Sequence, residues 1–144
     1  MKKLIVIVLL LTALLGCSEK AVTTVCTYST SERNNKVTLV SSKDVVNSET
    51  SEVIFYVSDP LEESWQILLD NQISATQGIK GYSFEYSYEN GELYTRMHID
   101  YKVANLSELA NNGILDSASG DASYISLELT LEAIKKYGYQ CSEQ

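Results

Sequence analysis

The chain is poor in the residues on which catalytic and metal sites usually depend. Its 144 residues include one histidine, one proline and three cysteines. Nucleophilic catalysis needs a base beside the nucleophile, and zinc sites need several His or Cys ligands. The single histidine, His98, falls on the polar side of a predicted strand, and no spacing singles out a pair of carboxylates. We therefore expect a protein that is not an enzyme and holds no metal or other cofactor.

Basic residues are also scarce. Once the two N-terminal lysines are set aside, nine Lys and Arg remain against 19 Asp and Glu, a net charge of −10. Nucleic-acid binding is built from basic side chains that neutralise phosphates, so we expect no nucleic-acid partner. The same deficit argues against broad docking on anionic lipid headgroups.

No apolar run is long enough to cross a bilayer as a helix, which takes about 20 residues. The run Leu4–Leu15 follows two lysines and is followed by polar residues, as in a signal peptide. It ends in the sequence LLGC at residues 14–17, which resembles the bacterial lipobox. That resemblance implies cleavage after Gly16 and a diacylglyceryl group on Cys17. A plain secretion signal with an incidental cysteine is the alternative.

The lipobox sets the expected domain organisation and location. Residues 1–16 are a lipoprotein signal peptide, residues 17–24 a lipidated tether and residues 25–144 a single domain. Two acyl chains anchor a protein stably where one is marginal. We expect the domain to be anchored by lipid to the cell membrane or outer membrane, exposed on the extracytoplasmic side.

Cys26 and Cys141 lie near the two ends of the predicted domain. An exported protein meets an oxidising compartment, where a pair of cysteines commonly forms a disulfide. Such a bridge would close nearly the whole domain into one loop and contribute about 4 to 5 kcal/mol in the chain-entropy model. Two separate buried thiols are the alternative.

The first half of the chain predicts a hairpin, a strand and a helix. A Thr- and Val-rich segment at residues 25–46 is broken at Asn34 and Asn35, where we place a turn. The run VIFYV at residues 53–57 is typical of a central strand buried on both faces. Asp59 and Pro60 then favour the start of a helix that ends near Gly78. Its predicted core positions are Leu61, Trp65, Leu68, Leu69 and Ile73.

Two alternating runs flank Asn90 and Gly91, the strongest short hairpin signal. The turn sets a register in which Tyr88 faces Leu93 and Tyr82 faces Ile99, so that the large apolar side chains share the core side. Three residues alternate along the other side, namely Tyr94, Arg96 and His98, and Glu85 lies opposite Arg96. Tyr and Arg are common interface anchors, so these three residues form a candidate binding surface. A solvated sheet face with one ion pair is the alternative.

Residues 105–121 are rich in Asn, Ser, Gly and Asp. This composition predicts a loop with one helical turn near Leu106–Ala110. The segment from Leu127 to the lysines before Gly138 fits either a strand or a helix, and we choose the helix. Tyr139–Cys141 then returns to the sheet, within reach of Cys26. The fold expected from these elements is α+β, with an antiparallel sheet of about five strands and two helices packed on one face.

With these motifs placed, the chain resembles the YehR-like family of small bacterial lipoproteins, a domain of unknown function. The resemblance rests on Cys17, on GIKGYSFEYSY, on MHIDYKVANL and on the ending YGYQC. It implies a lipid-anchored α+β domain and supplies no activity or site residues.

Three functions remain open on the sequence. The first is a non-enzymatic binding or accessory module of the cell envelope, held at the membrane by its diacylglyceryl cysteine and contacting an envelope protein. The second is a carrier that holds a small ligand in an apolar cleft between helix and sheet. The third is an enzyme that depends on carboxylates or on His98.

Overall fold

A computed structural model describes residues 19–144. The predicted signal peptide and the lipidation site Cys17 lie outside the described residues. The sheet has six antiparallel strands in the order β4-β5-β3-β2-β1-β6. The strands are β1 (Val22–Ser29), β2 (Arg33–Ser42), β3 (Val45–Tyr56), β4 (Tyr82–Glu89), β5 (Glu92–Asp100) and β6 (Gln140–Glu143). The first strand thus begins three residues before the expected domain start at residue 25.

Four helices complete the described part of the chain, which is an α+β domain with an antiparallel sheet. They are α1 (Glu63–Thr76), α2 (Leu106–Asn111), α3 (Ser117–Gly120) and α4 (Leu127–Lys136). The expectation of two helices is therefore incomplete. The short α2 matches the helical turn predicted near Leu106–Ala110, whereas α3 lies in a segment predicted to be loop. Within residues 19–144 no helix combines the length and apolar character needed to cross a membrane.

The register of the strands defines a core face of the sheet. Leu39 of β2 pairs with Glu49 of β3, which pairs with Ile99 of β5, so these three side chains share that face. Leu39 belongs to a cluster that includes Leu131 and Ile134 of α4, and Ile99 packs with Leu109 of α2. The core thus lies between this face and the helices that cover it.

The first hairpin differs from its prediction in the position of the turn. The chain turns at residues 30–32, and Asn34 and Asn35 lie inside β2, opposite Ser29 and Tyr28. The Thr30 hydroxyl accepts hydrogen bonds from the backbone N–H groups of Glu32 and Arg33, which fixes the earlier turn.

The central strand also differs from its prediction. β3 is central in the sheet but starts at Val45, well before the apolar run at residues 53–57. That run is not buried on both faces, since Tyr56 is 45% exposed. The core lies on one face of the sheet only. Ile54 and Tyr56 point to the opposite face, because side chains alternate along a strand.

Helix α1 begins at Glu63 and not near Asp59, whose carboxylate instead accepts a hydrogen bond from Tyr88 at 2.7 Å. Leu69 is 3% exposed, whereas Leu68, a predicted core residue, is 59% exposed. Ile73, also predicted to be core, is exposed. The side facing the sheet follows positions 65, 69, 72 and 76, which turns Leu68 outward. The helix ends as predicted, just before Gly78.

The second hairpin and the C-terminal segment agree with their predictions. Tyr88 pairs with Leu93 and Tyr82 pairs with Ile99, as the Asn90-Gly91 turn requires. The segment from Leu127 is helical. The chain then returns as β6 beside β1, and Cys26 and Cys141 form a disulfide.

Candidate functional site

A glutamate lies on the core face of the sheet, between two buried aliphatic residues. Glu49 is flanked across the strands by Leu39 and Ile99, which are almost completely buried. Burial of the carboxylate disfavours its charged form and raises the pKa of Glu49. Glu49 itself is half-buried, because its side chain faces a cleft.

Tyr101 is the hydrogen-bond partner of this acid. Its hydroxyl donates to Oε2 of Glu49 at 2.9 Å. Its backbone N–H donates to the carbonyl of Asn47 at 2.9 Å, which fixes the tyrosine beside the start of β3. Burial, together with the neighbouring Glu49 carboxylate, raises the pKa of the Tyr101 hydroxyl, so Tyr101 is a neutral donor.

Glu49 and Tyr101 lie in a cleft of about 680 Å³ between the sheet and the segment from α3 to α4. We call it the Glu49 cleft. Its volume is in the range of small-molecule sites. The apolar part of its lining comprises Leu115, Ala118, Ala122, Tyr124, Ile125, Leu129, Ala133 and Ile134. Hydroxyl groups come from Ser119, Ser123, Ser126 and Thr130.

Local capping interactions build the wall of the cleft. The Asp116 carboxylate accepts from the backbone N–H of Ser119 at 2.7 Å and so starts α3. Ser126 starts α4 by accepting from the backbone N–H of Leu129 at 3.2 Å.

Asp44, in the turn between β2 and β3, joins α4 to the sheet. Its carboxylate accepts from Ser126 Oγ at 3.1 Å and from the backbone N–H of Glu128 at 2.8 Å. The hydrogen bond from Glu128, followed by that from Ser126, lowers the pKa of Asp44. The wall formed by α4 is therefore held in place by a charged hydrogen-bond acceptor on the sheet.

The cleft is lined by two carboxylates. Glu49 has the Tyr101 hydroxyl as a neutral donor, whereas the Asp116 carboxylate is engaged in capping α3. Among residues 19–144, no lysine or arginine lines the cleft, and no second Asp or Glu hydrogen-bonds to Glu49. No cluster of three or more metal-ligating side chains occurs in the described part of the chain. A carboxylate without a protein cation suits a ligand that brings its own positive charge or hydrogen-bond donors.

The candidate binding surface predicted from sequence, Tyr94, Arg96 and His98, lies on the opposite face of the sheet. Its polar groups already have partners within the sheet. Tyr94 donates to Glu52 at 2.9 Å, and Arg96 pairs with Glu85 at 3.3 Å. The Nδ1 atom of His98 lies 2.8 Å from the Thr50 hydroxyl.

The disulfide is close to the core but is not part of the Glu49 cleft. Cys26 is fully buried, and the bridge joins β1 to β6 at an edge of the sheet.

Sequence reasoning missed both Glu49 and Tyr101. Glu49 precedes the apolar run at residues 53–57, and the polar sequence NSETSE conceals the first half of β3. The alternation of side chains along a strand could have revealed Glu49. If the strand is extended backwards from Val53 and Phe55, residue 49 lies on the same side as they do. Tyr101 directly follows the last residue of β5, and its spacing from Met97 and Ile99 places it on the same side of the strand as these two residues.

Fold and cleft together define a small, disulfide-bonded α+β domain with an acidic cleft between its sheet and its helices. The chain belongs to the family described as Protein of unknown function (DUF1307), whose model matches residues 22–140.

Two solved structures share this fold. The chain is similar to the NMR structure of the Escherichia coli YehR protein, with a TM-score of 0.69 and 14% identity over 86% of this chain and 92% of that chain. It is also similar to the NMR structure of a protein from Streptococcus pneumoniae TIGR4, with a TM-score of 0.61 and 17% identity over 90% of this chain and 88% of that chain. The resemblance to the YehR-like family is thus confirmed. No curated protein matches the chain significantly.

Proposed function

We propose that this protein is a lipid-anchored binding module of the cell envelope that takes a small organic cation, such as an amine with an apolar body, into the Glu49 cleft. The observation that carries the proposal is the pairing of Glu49 with Tyr101 inside a cleft of ligand size. The proposed activity is binding, without covalent chemistry.

The free-energy cost of removing water from the Glu49 carboxylate supports a binding role. A carboxylate between Leu39 and Ile99 gives up hydration, and one neutral hydrogen bond does not replace it. A neutral side chain of the same shape would serve the fold better. Groups that destabilise the free protein in this way are typical of sites that act on a ligand.

The ligand class follows from the lining of the cleft. A protonated amine would pair with the Glu49 carboxylate while the Tyr101 hydroxyl orients that carboxylate. Its apolar body would contact the aliphatic side chains of α4 and of the preceding loop, and the hydroxyls of Ser123 and Thr130 would accept further N–H groups. The net negative charge of the chain favours the approach of cations.

The anchor in this proposal is the diacylglyceryl group on Cys17. Its support is the LLGC sequence at the end of a short apolar run, with the folded domain starting five residues later at Val22. Intact-mass analysis of protein purified from membranes tests it. A mature chain that starts at Cys17 and carries acyl mass is expected, and an unmodified thiol or an uncleaved leader would contradict it.

Calorimetric titration tests ligand binding with three probes of one chain length: an n-alkyl amine, the corresponding alcohol and the corresponding carboxylate. The amine is expected to bind at least about tenfold more tightly than the alcohol, since a charged hydrogen bond contributes about 1.5 to 3 kcal/mol. The carboxylate should not bind.

Glu49→Gln keeps the shape of the cleft and removes the charge, and it should weaken amine binding at least about tenfold. Glu85→Gln, on the opposite sheet face, is the matched control and should bind as the wild type does. Equal affinities for the three probes, no binding of amines of any chain length, or unchanged affinity in Glu49→Gln would refute the ligand class.

A further inference from the structure

The two ends of the sheet differ in charge and polarity. One end, which we call the tethered end, holds the start of β1, the turn at residues 43–44 between β2 and β3, and the segment that follows β5 at residues 101–104. The far end holds the turn at residues 30–32, the segment after β3 and the Asn90-Gly91 turn. The chain enters the domain at the tethered end, because Val22 begins β1 beside Ser41.

Hydrogen bonds draw the loops of the tethered end together. The backbone N–H of Asp100 donates to the carbonyl of Gly81 at 2.7 Å, which places Lys80 beside the segment after β5. The backbone N–H of Tyr101 donates to Asn47 at 2.9 Å and joins the same segment to the start of β3.

Three of the nine large apolar side chains that are exposed in the described residues lie at the tethered end, namely Val45, Val103 and Tyr124. Val45 and Tyr124 line one small cavity of about 220 Å³ together with Lys102, so they are neighbours although they are far apart in sequence. Val103 adjoins Gly81. An exposed apolar group beside lysines is the composition of a surface that rests on lipid headgroups.

The charges divide between the two ends. The tethered end carries four of the nine basic residues that follow Cys17, namely Lys20, Lys43, Lys80 and Lys102. The far end has six acidic residues, Glu32, Asp59, Glu62, Glu63, Glu89 and Glu92. Its basic residues are Arg33 and, at the end of α4 where Gly138 adjoins Tyr28, Lys135 and Lys136.

The acidic residues of the tethered end are mostly engaged within the domain. Glu19 pairs with Lys43, Asp44 holds the start of α4, and the Asp100 carboxylate accepts from the backbone N–H of Lys102 at 3.0 Å. Glu143 lies at the same end, beside Thr24. Among the described residues, Lys80 and Lys102 form no ion pair. Glu128, beside Asp44 at the start of α4, is a further acid of this end. The tethered end therefore has four lysines against five acids, a net charge of about −1, and the far end is more acidic.

We infer that the tethered end docks on the bilayer, with Val45, Val103 and Tyr124 at the headgroup level and the acidic far end pointing away. The inference rests on the lipid anchor of the proposed function. Residues 17–21 span at most about 17 Å at roughly 3.5 Å per residue, so an anchored domain stays close to the membrane. β3 alone has 12 residues and extends about 40 Å, which keeps the far end out of reach of the lipid. Anionic headgroups repel the acidic end and attract the free lysines, which fixes the orientation.

Tryptophan quenching tests the orientation with the full lipidated protein. The one native tryptophan, Trp65, lies at the far end, where it contacts Phe55. A second protein carries Trp65→Phe and Tyr124→Trp, which moves the fluorophore to the tethered end. Both are reconstituted in vesicles of phosphatidylglycerol and bromine-labelled phosphatidylcholine, and floated vesicles are used so that only anchored protein is measured. We expect quenching of residue 124 to exceed that of Trp65 at least about twofold, because docked groups enter the headgroup region by about 5 to 10 Å.

A charge variant separates docking from anchoring. Lys80→Gln with Lys102→Gln should reduce quenching at residue 124 while the protein still floats with the vesicles. The matched control, Lys135→Gln with Lys136→Gln, removes two lysines from the end of α4 and should leave quenching unchanged. Equal quenching of the two tryptophans, quenching of neither, or stronger quenching of Trp65 would overturn the docking inference alone. Protein that lacks acyl mass and does not float would overturn the anchor and the docking together.

Discussion

The hydroxyl of Tyr101 lies 2.9 Å from Oε2 of Glu49, and this neutral donor is the hydrogen-bond partner found for the carboxylate within residues 19–144. An acid that gives up hydration for one neutral partner opposes folding. The fold tolerates this cost, and the proposed ligand would offset it by supplying the missing positive charge.

Glu49→Gln is therefore expected to stabilise the free protein at neutral pH by about 1 kcal/mol, the low end of the usual desolvation cost, because Glu49 is half-buried and keeps one hydrogen bond. The pKa of Glu49 is raised from its ordinary value of 4.5, so the folded state binds a proton more tightly than the unfolded state does. Wild-type stability should fall as pH rises from about 4.5 through the raised pKa. The Glu49→Gln variant lacks this pH-dependent loss of stability. The free energies of unfolding of the two proteins should therefore become equal at lower pH. Urea denaturation across this pH range measures the difference, and a variant that is less stable at neutral pH would contradict the assignment.

Replacing both Cys26 and Cys141 by alanine should lower the free energy of unfolding by about 4 to 5 kcal/mol. The bridge joins residues 115 positions apart, and the chain-entropy model assigns that amount to a loop of this size. Urea denaturation with and without reductant measures the effect. Reductant should destabilise the wild type and leave the variant unchanged, whereas an unchanged wild type would show that the bridge does not restrain the unfolded chain.

Ser126→Ala should destabilise the domain by about 1 kcal/mol, because it removes the N-cap of α4 and the hydrogen bond to Asp44. Ser123→Ala is the matched control. Ser123 also lines the Glu49 cleft but is exposed and caps no helix, so its replacement should change stability by less than about 0.5 kcal/mol. Thermal denaturation of the three proteins measures both effects, and equal losses in the two variants would argue against the capping role.

Gly81→Ala should be much more destabilising than Gly113→Ala, although both glycines have positive φ. At Gly113 a Cβ meets nothing within 4 Å, so the cost is the left-handed conformation alone, about 1 to 2 kcal/mol. At Gly81 a Cβ would lie 2.8 Å from the Asp100 carbonyl oxygen and 2.9 Å from the Ala104 nitrogen. The backbone around Gly81, at the tethered end of the sheet, must therefore move to accept an alanine. Denaturation midpoints compare the two, and similar losses would contradict the close contact.

Tyr94→Phe combined with Arg96→Gln should leave the fold and amine binding intact. The two side chains lose a hydrogen bond to Glu52 and an ion pair with Glu85, and partly exposed contacts of this kind contribute about 0 to 1 kcal/mol each. Calorimetry and thermal denaturation measure the outcome. If amine affinity falls in this variant, the ligand site lies on the open sheet face rather than in the Glu49 cleft.

Part of this architecture is determined by the sequence itself. Asn90 and Gly91 determine a turn, and the turn determines the pairing of every residue in β4 and β5, since side chains alternate with period two. Gly78 and Gly138 mark helix ends because their left-handed conformation disfavours other residues. These are local effects that need no distant partner.

The first hairpin shows where local signals compete. Asn34 and Asn35 are good turn residues, but the chain turns at residues 30–32, and Asn35 instead donates to the hydroxyl of Tyr139 at 2.7 Å. That partner lies 104 positions away, so sequence proximity could not reveal it. Despite the earlier turn, Tyr28, Val37 and Leu39 share the core side of the sheet.

The candidate site was decided by tertiary structure. Glu49 gains its burial from Leu39 and Ile99 on neighbouring strands, and its cleft from a segment more than 60 residues later. The orientation of Leu68 and Ile73 depends likewise on how α1 meets the sheet. The sequence by itself determined the second hairpin and favoured the C-terminal helix, because turn and helix signals act over a few residues. Strand order, the Glu49 cleft and the contrast between the two ends of the sheet required the folded chain, because burial and charge proximity depend on residues that only the fold brings together.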